Sequence, residues 1–197
     1  MGYSIDATDA GCYPGTTVLI NKLNIQTQEA LDRAERIAVS LREVEIEKEQ
    51  PSEAFTFDYY LNLHRRLFGD VYDWAGKLRS IDFSKKGTIF CSADELASVG
   101  AAIFDRLQRM HELRGLPRDR FTRELAALYH DLNMLHPFRE GNGRVQRLFF
   151  TLLIRRAGYA ISFADCDTDA LMAATIYATQ GVMDYLYQFF DREIRLS

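Results

Sequence analysis

Apolar positions along the chain recur mostly at spacings of three, four and seven, the period of helices with one buried face. The clearest run is Phe121, Leu125, Leu128, Tyr129, Leu132 and Leu135. It must stop near His136, because the residue before a proline is pushed out of helical geometry. Val145, Leu148, Phe149, Leu152 and Leu153 mark the next helix, which Gly158 ends. Upstream, Thr27 is placed to cap a helix through about Val44 with Leu31, Ala34, Ile37, Ala38 and Leu41 on its apolar face. A charged exit from Glu43 to Glu49 follows, and Pro51 closes it. Thr56 is placed to cap a second helix whose stripe is Phe57, Tyr60, Leu61, His64, Leu67 and Phe68, with Gly69 as its stop. Val71 to Gly76 reads as a short helical turn, Asp94 to Arg114 as a helix broken by Gly115-Leu116-Pro117, and Asp167 to Ile194 as one or two more. Between Ser80 and Cys91 the period changes. Ile81, Phe83, Ile89 and Phe90 flank Lys85-Lys86-Gly87, the pattern of a small β-hairpin with a glycine turn. The fold class is therefore all-α, a single domain over 1–197 with a hairpin near 80–91. Residues 1–12, small and polar, are expected to fray, and 13–197 form the ordered core.

Composition narrows this picture by exclusion. The chain has 197 residues, enough for one domain with a sizeable core, and 47% are apolar, which argues against disorder. No stretch approaches the roughly 20 apolar residues of a membrane span. The N-terminus lacks the charged and apolar regions of a signal peptide, so a cytoplasmic protein is expected. Cys12, Cys91 and Cys166 are far apart with no CxxC pairing, which suggests idle thiols in a reducing compartment. A net charge of −4 gives no general attraction to nucleic acid. Any phosphate site must then be a local concentration of basic groups.

One segment has that character: His136 to Arg147, HPFREGNGRVQR. Gly141 and Gly143 flank Asn142 where a helix begins, and glycines let backbone N–H groups approach a ligand closely. The first N–H groups of a helix lack internal partners and carry the positive end of its dipole, a ready anion site. Arg144 and Arg147, three apart, leave the first turn on one face and suit a polyphosphate. Glu140 is the loop's one acid, the usual protein contribution to a magnesium ion held on phosphates. His136 can accept a proton near neutral pH. His64 lies on the apolar stripe and reads as packing, and His111 and His130, with no chemical neighbours in sequence, read as packing or surface. The Walker and protein-kinase patterns are absent.

The twelve residues resemble the signature of the Fic family, HxFx(D/E)GNGRxxR, at every defining position. Tyr13-Pro14-Gly15-Thr16, His64-Arg65-Arg66-Leu67-Phe68 and Trp74-Ala75-Gly76-Lys77-Leu78-Arg79 are similar to family segments too, so the likeness covers nearly the whole chain. It implies a Fic fold and transfer of AMP from ATP to a Tyr, Ser or Thr hydroxyl of a target protein. By that likeness His136 is the general base and Phe138 anchors the loop. Glu140 holds Mg2+, Asn142 with the Gly141 and Gly143 backbone cradles the phosphates, and Arg144 and Arg147 hold the β- and γ-phosphates. The hairpin is similar to the family's flap, with Thr88, Ile89 and Phe90 as target-docking residues. Transfer of UMP, GMP or a phosphoryl group by the same fold, or a non-catalytic interaction module, are the alternatives. Tyr177 and Gln180 are candidates for a base pocket. The family's inhibitory pattern, [ST]xxxE[GN], is absent: Ser40 is followed four residues on by Val44, and Phe189 sits four before Glu193. The expectation is therefore a separate inhibitory protein, as in a toxin–antitoxin pair, or an unrestrained enzyme in the manner of a translocated effector.

Overall fold

The computed structural model describes residues 11–49, 53–85 and 88–196. The expected fraying of residues 1–10, the closing role of Pro51 and the Lys86-Gly87 turn lie outside them. Gly11 and Cys12 are not frayed: Cys12 forms an antiparallel bridge with Leu19, and the Tyr13 N–H donates to the Val18 carbonyl at 2.9 Å.

Seven helices carry the described chain: α1 (Gln28–Glu47), α2 (Phe57–Phe68), α3 (Leu96–Arg109), α4 (Arg118–Leu135), α5 (Asn142–Arg156), α6 (Thr168–Thr179) and α7 (Asp184–Glu193). Strands β1 (Ser84–Lys85) and β2 (Thr88–Ile89) pair antiparallel, Ser84 opposite Ile89, as the expected hairpin. A second pair, β3 (Tyr159–Ala160) with β4 (Arg195–Leu196), ties the exit of α5 to the segment after α7. Two residues per strand carry no readable alternation, which is why this pair escapes a periodicity argument.

α5 is the central helix. Val145, Leu148, Phe149, Phe150, Leu152, Leu153 and Ile154 are all buried, so apolar residues face almost every direction. Phe149 meets Tyr60 of α2 edge-on at 5.3 Å and Phe104 of α3 at 5.5 Å. Such aromatic pairs fix how neighbouring helices rotate against one another. None of the described helices is long and apolar enough to cross a membrane.

Three features differ from the pattern. Residues 71–76 form hydrogen-bonded turns rather than a helix. α3 stops at Arg109, and His111, Glu112 and Leu113 turn left-handed at φ 51°, 55° and 61°. Glu112 holds that strained turn in place. Its buried carboxylate accepts from the Phe55 N–H at 2.7 Å and pairs with Arg156 at 2.9 Å. The third difference is the face of α1. Leu31, Glu35, Val39 and Ile46 are buried, while Ile37 and Leu41 are 59% and 63% exposed. The helix carries two apolar stripes, and the inward one includes a glutamate, so hydrophobicity alone selects the wrong one.

Candidate active site

α4 ends at Leu135 and α5 begins at Asn142, so the segment between must reverse the chain tightly. His136 starts the reversal in left-handed geometry, φ 43° and ψ 58°, a conformation that costs a non-glycine residue about 1–2 kcal/mol. Its surroundings hold it there. The His136 ring is buried and stacks on Phe90 of the hairpin at 4.1 Å. Its carbonyl accepts from Arg79 Nε at 2.8 Å, and the next carbonyl, of Pro137, accepts from the Arg79 backbone N–H at 2.9 Å.

Phe138 points down into the core, fully buried, and stacks on the His64 ring at 3.7 Å. His64 is therefore more than packing. Its Nδ1 accepts from the Gly76 N–H at 2.9 Å, which assigns the remaining proton to Nε2, and Nε2 donates to the Glu140 carbonyl at 3.0 Å. Burial pushes its pKa down to about 3, so the ring is neutral. Asn142 closes the loop from the other side. Its Oδ1 accepts from the Phe138 N–H at 2.9 Å and its Nδ2 donates to the Phe138 carbonyl at 2.8 Å. Gly141 turns left-handed at φ 82°, and a Cβ there would lie 2.4 Å from the Phe68 ring. Only glycine fits.

This scaffold aims the start of α5 into a cleft of about 500 Å³. His136, Gly143 and Arg147 line it from the loop, and Thr88 and Phe90 from the hairpin. Phe163, Leu171, Met172, Thr175, Ile176 and Thr179 form the far wall. The side chain of Ile89 turns away, 78% exposed, because successive strand residues face opposite sides. Tyr177 and Gln180 do not line the cleft. Tyr177 packs against Tyr185 with the ring centroids 4.7 Å apart and the planes tilted by 37°, and Gln180 sits at the C-terminus of α6. The helical phase that points Leu171, Thr175 and Thr179 inward turns Tyr177 aside.

Within the motif the two arginines part company. Arg144 Nη1 is 2.6 Å from Glu35 of α1 and Nη2 is 3.5 Å from Glu140, with the guanidinium over the Phe68 ring. Glu35 also accepts a hydrogen bond from the Tyr72 hydroxyl. Arg147 folds back across Gly143, its Nη1 3.3 Å from the place a Gly143 Cβ would occupy. Among the described residues no carboxylate pairs with it. Glu43 on α1 is half-buried nearby. Burial and then Glu47 raise its pKa, against the pull of Arg147 and Arg144.

Phe138 and Asn142 are buried under the loop, while Glu140 and Arg144 do not line this cleft and keep 35% and 28% of their side chains exposed. Asn142 spends its amide on the loop itself, so any phosphate contact there runs through backbone N–H groups. No cluster of three His, Cys, Asp or Glu side chains among the described residues could hold a metal by itself. Glu140 Oε1 accepts from the Gly141 N–H at 2.7 Å, which fixes its carboxylate beside the helix start. One oriented carboxylate fits a magnesium ion carried in on phosphate oxygens, not a cage of protein ligands.

Glu35, Arg79 and His64 also organise this site, and residue spacing in the sequence shows none of these three roles. A carboxylate at a position in phase with the Leu31–Val39 face of α1 was the one available sign for Glu35. A family model described as Fic/DOC family matches residues 54–154. Over 189 residues, 96% of this chain and 94% of the relative, the sequence is 32% identical to an Escherichia coli protein named Probable protein adenylyltransferase Fic. It is 35% identical over 181 residues to Protein adenylyltransferase VbhT of Bartonella schoenbuchensis, covering 92% of this chain but 38% of that longer protein. The fold matches BepC, a VirB-translocated effector of Bartonella tribocorum with bound AMPPNP, at a TM-score of 0.87, 26% identity and coverage of 95% of this chain and 97% of that one. An ADP-bound N-terminal Fic domain from Bartonella quintana matches at 0.89, again at 26% identity, over 95% of both chains.

Proposed function

The chain belongs to the Fic/DOC family, and from that premise we infer that it is a protein adenylyltransferase, moving AMP from ATP to a Tyr, Ser or Thr hydroxyl of a target protein and releasing pyrophosphate. One observation supports this most: His136, the backbone start of α5 and Arg147 face a single cleft edged by an open strand. A base, an anion site and a docking edge converge there.

The N–H groups at the start of α5, with the helix dipole behind them, hold the phosphate chain, and Arg147 clamps its far end. Magnesium, when bound, neutralises phosphate charge, and Glu140 is the residue that would hold it. Arg144 acts at one remove, through Glu140 and Glu35. The β2 edge pairs with an extended target segment through backbone hydrogen bonds, while Thr88 and Phe90 face its hydroxyl residue. His136 takes the hydroxyl proton, the oxygen attacks the α-phosphorus in line, the bond to the β-phosphate bridging oxygen breaks, and pyrophosphate leaves. The wall of Phe163, Leu171, Met172, Thr175, Ile176 and Thr179 receives the nucleobase, so the choice of ATP over UTP or GTP is made there. The place of action is a compartment that supplies ATP and magnesium, the cytosol.

Control comes from a separate protein. Among the described residues no carboxylate pairs with Arg147, and α1 leaves Ile37, Leu41 and Val44 exposed on one side, an apolar face fit for an inhibitory helix. If Glu35→Gln or Glu43→Gln activated an otherwise silent purified chain, inhibition would lie in cis and this part of the reading would fall.

The decisive experiment is incubation with magnesium, a cell extract and ATP labelled at the α- or the γ-phosphate. Protein bands acquire label from the α position alone, and His136→Ala abolishes it. Label from γ identifies a kinase, and no label from ATP, UTP or GTP with inhibition excluded identifies a binding module.

A further inference from the structure

Arg79 is buried, yet its charge is spent on carbonyls. Nε donates to the His136 carbonyl at 2.8 Å, Nη1 to that of Ile81 at 2.7 Å, and Nη2 to that of Cys91 and, at 3.5 Å, to that of Leu135. The nearest carboxylate, Asp82, is 3.9 Å away and mostly exposed. Leu135 and His136 end α4, where unpaired carbonyls carry the negative end of the helix dipole and favour a cation. Ile81 and Cys91 are the two feet of the hairpin. One rigid fork therefore joins the base-bearing residue to both feet of the docking strand. Phe90 adds a second tie by stacking on His136, and the Cys91 N–H adds a third by donating to the Met134 carbonyl at 2.9 Å.

We propose that Arg79 is a positioning residue that sets the height and angle of the hairpin over His136, so that a target strand laid on β2 arrives with its hydroxyl in reach of the base. The proposal rests on the reading of His136 as base and of the hairpin as target dock. Arg79 touches neither nucleotide nor target. Lysine cannot replace it, because an ammonium is a point charge with no planar fork to span carbonyls on two elements.

Arg79→Lys is the first variant, and Arg79→Gln, which keeps a donor toward His136, is the second. Amide hydrogen exchange on the free protein should rise about tenfold in both 81–91 and 132–140 while α7 stays within about twofold. With α-labelled ATP, the extract concentration giving half-maximal labelling should rise about tenfold, and the half-saturating ATP concentration should move less than about twofold. Exchange that rises in one segment only, or evenly through α7 in both variants, overturns the proposal, as does loss of ATP use in step with target use. If the wild type transfers no AMP, the functional reading fails, and the exchange data still decide whether Arg79 couples hairpin to base.

Discussion

At the scale of single residues, the motif divides into side chains that meet the cleft and side chains that hold the others still. Gly141 belongs to the second group. Its left-handed φ and the Phe68 ring 2.4 Å from any added Cβ leave no room for alanine. Gly141→Ala should destabilise by about 2–5 kcal/mol, the sum of overpacking and left-handed strain, measured as a shift in urea midpoint with unchanged slope. A shift below about 0.5 kcal/mol would mean the loop relaxes freely, and the tight-corner account would fail. Asn142 closes the same corner with two hydrogen bonds to Phe138. The motif was legible in sequence as chemistry, but this division of labour was not, since spacing cannot show which atoms are already spent.

At the scale of elements, capping gives a clean contrast. Thr56 and Thr27 stand at equivalent positions by sequence, and both precede a helix. Thr56 Oγ1 accepts from the Tyr59 N–H at 3.1 Å, whereas Thr27 makes no side-chain cap. Thr56→Ala should therefore cost about 1 kcal/mol by thermal or urea unfolding, and Thr27→Ala only a few tenths. Equal costs would contradict the cap assignment. α1 matters for a different reason: it delivers Glu35 to Arg144 and Tyr72. Glu35→Ala should lower stability by about 1–3 kcal/mol, discounted because Arg144 is partly exposed, and should weaken ATP use through the loosened arginine. A binding titration with ATP that matched wild type would remove Glu35 from the site. The period of α1 was visible in the sequence, but its buried face was not. An inward-facing glutamate is favourable only once an arginine from α5 arrives beside it.

For the whole molecule, the same packing that builds the loop makes stability depend on pH. His64 stays neutral in the folded chain down to about pH 3, while in the unfolded chain it takes a proton near its ordinary value of 6.5. Below pH 6.5 the unfolded state thus binds the extra proton. The contribution is fully present above that value and is lost as pH falls, at up to about 1.4 kcal/mol per unit. His64→Phe should flatten the stability–pH curve between pH 6.5 and 4 relative to wild type, in urea unfolding followed at several pH values. Parallel curves would show that the ring titrates alike in both states. In the sequence His64 is one member of an apolar stripe, and in the fold it is buried with that stripe. Its tie to the Glu140 carbonyl became visible only when α2 and the loop were packed together.

The sequence by itself determined the helical class, the hairpin between Ser80 and Cys91 and the chemistry of HPFREGNGRVQR. Each depends on residues near one another in the chain, where periodicity and spacing act directly. Tertiary structure alone decided which stripe of α1 turns inward, that Thr88 and Phe90 face the cleft while Ile89 does not, and that Glu35, His64 and Arg79 hold the loop. Those outcomes turn on pairing charges and carbonyls from elements far apart in the chain. A buried charge is stable only where its partner is delivered, and the delivery is a property of the packed fold.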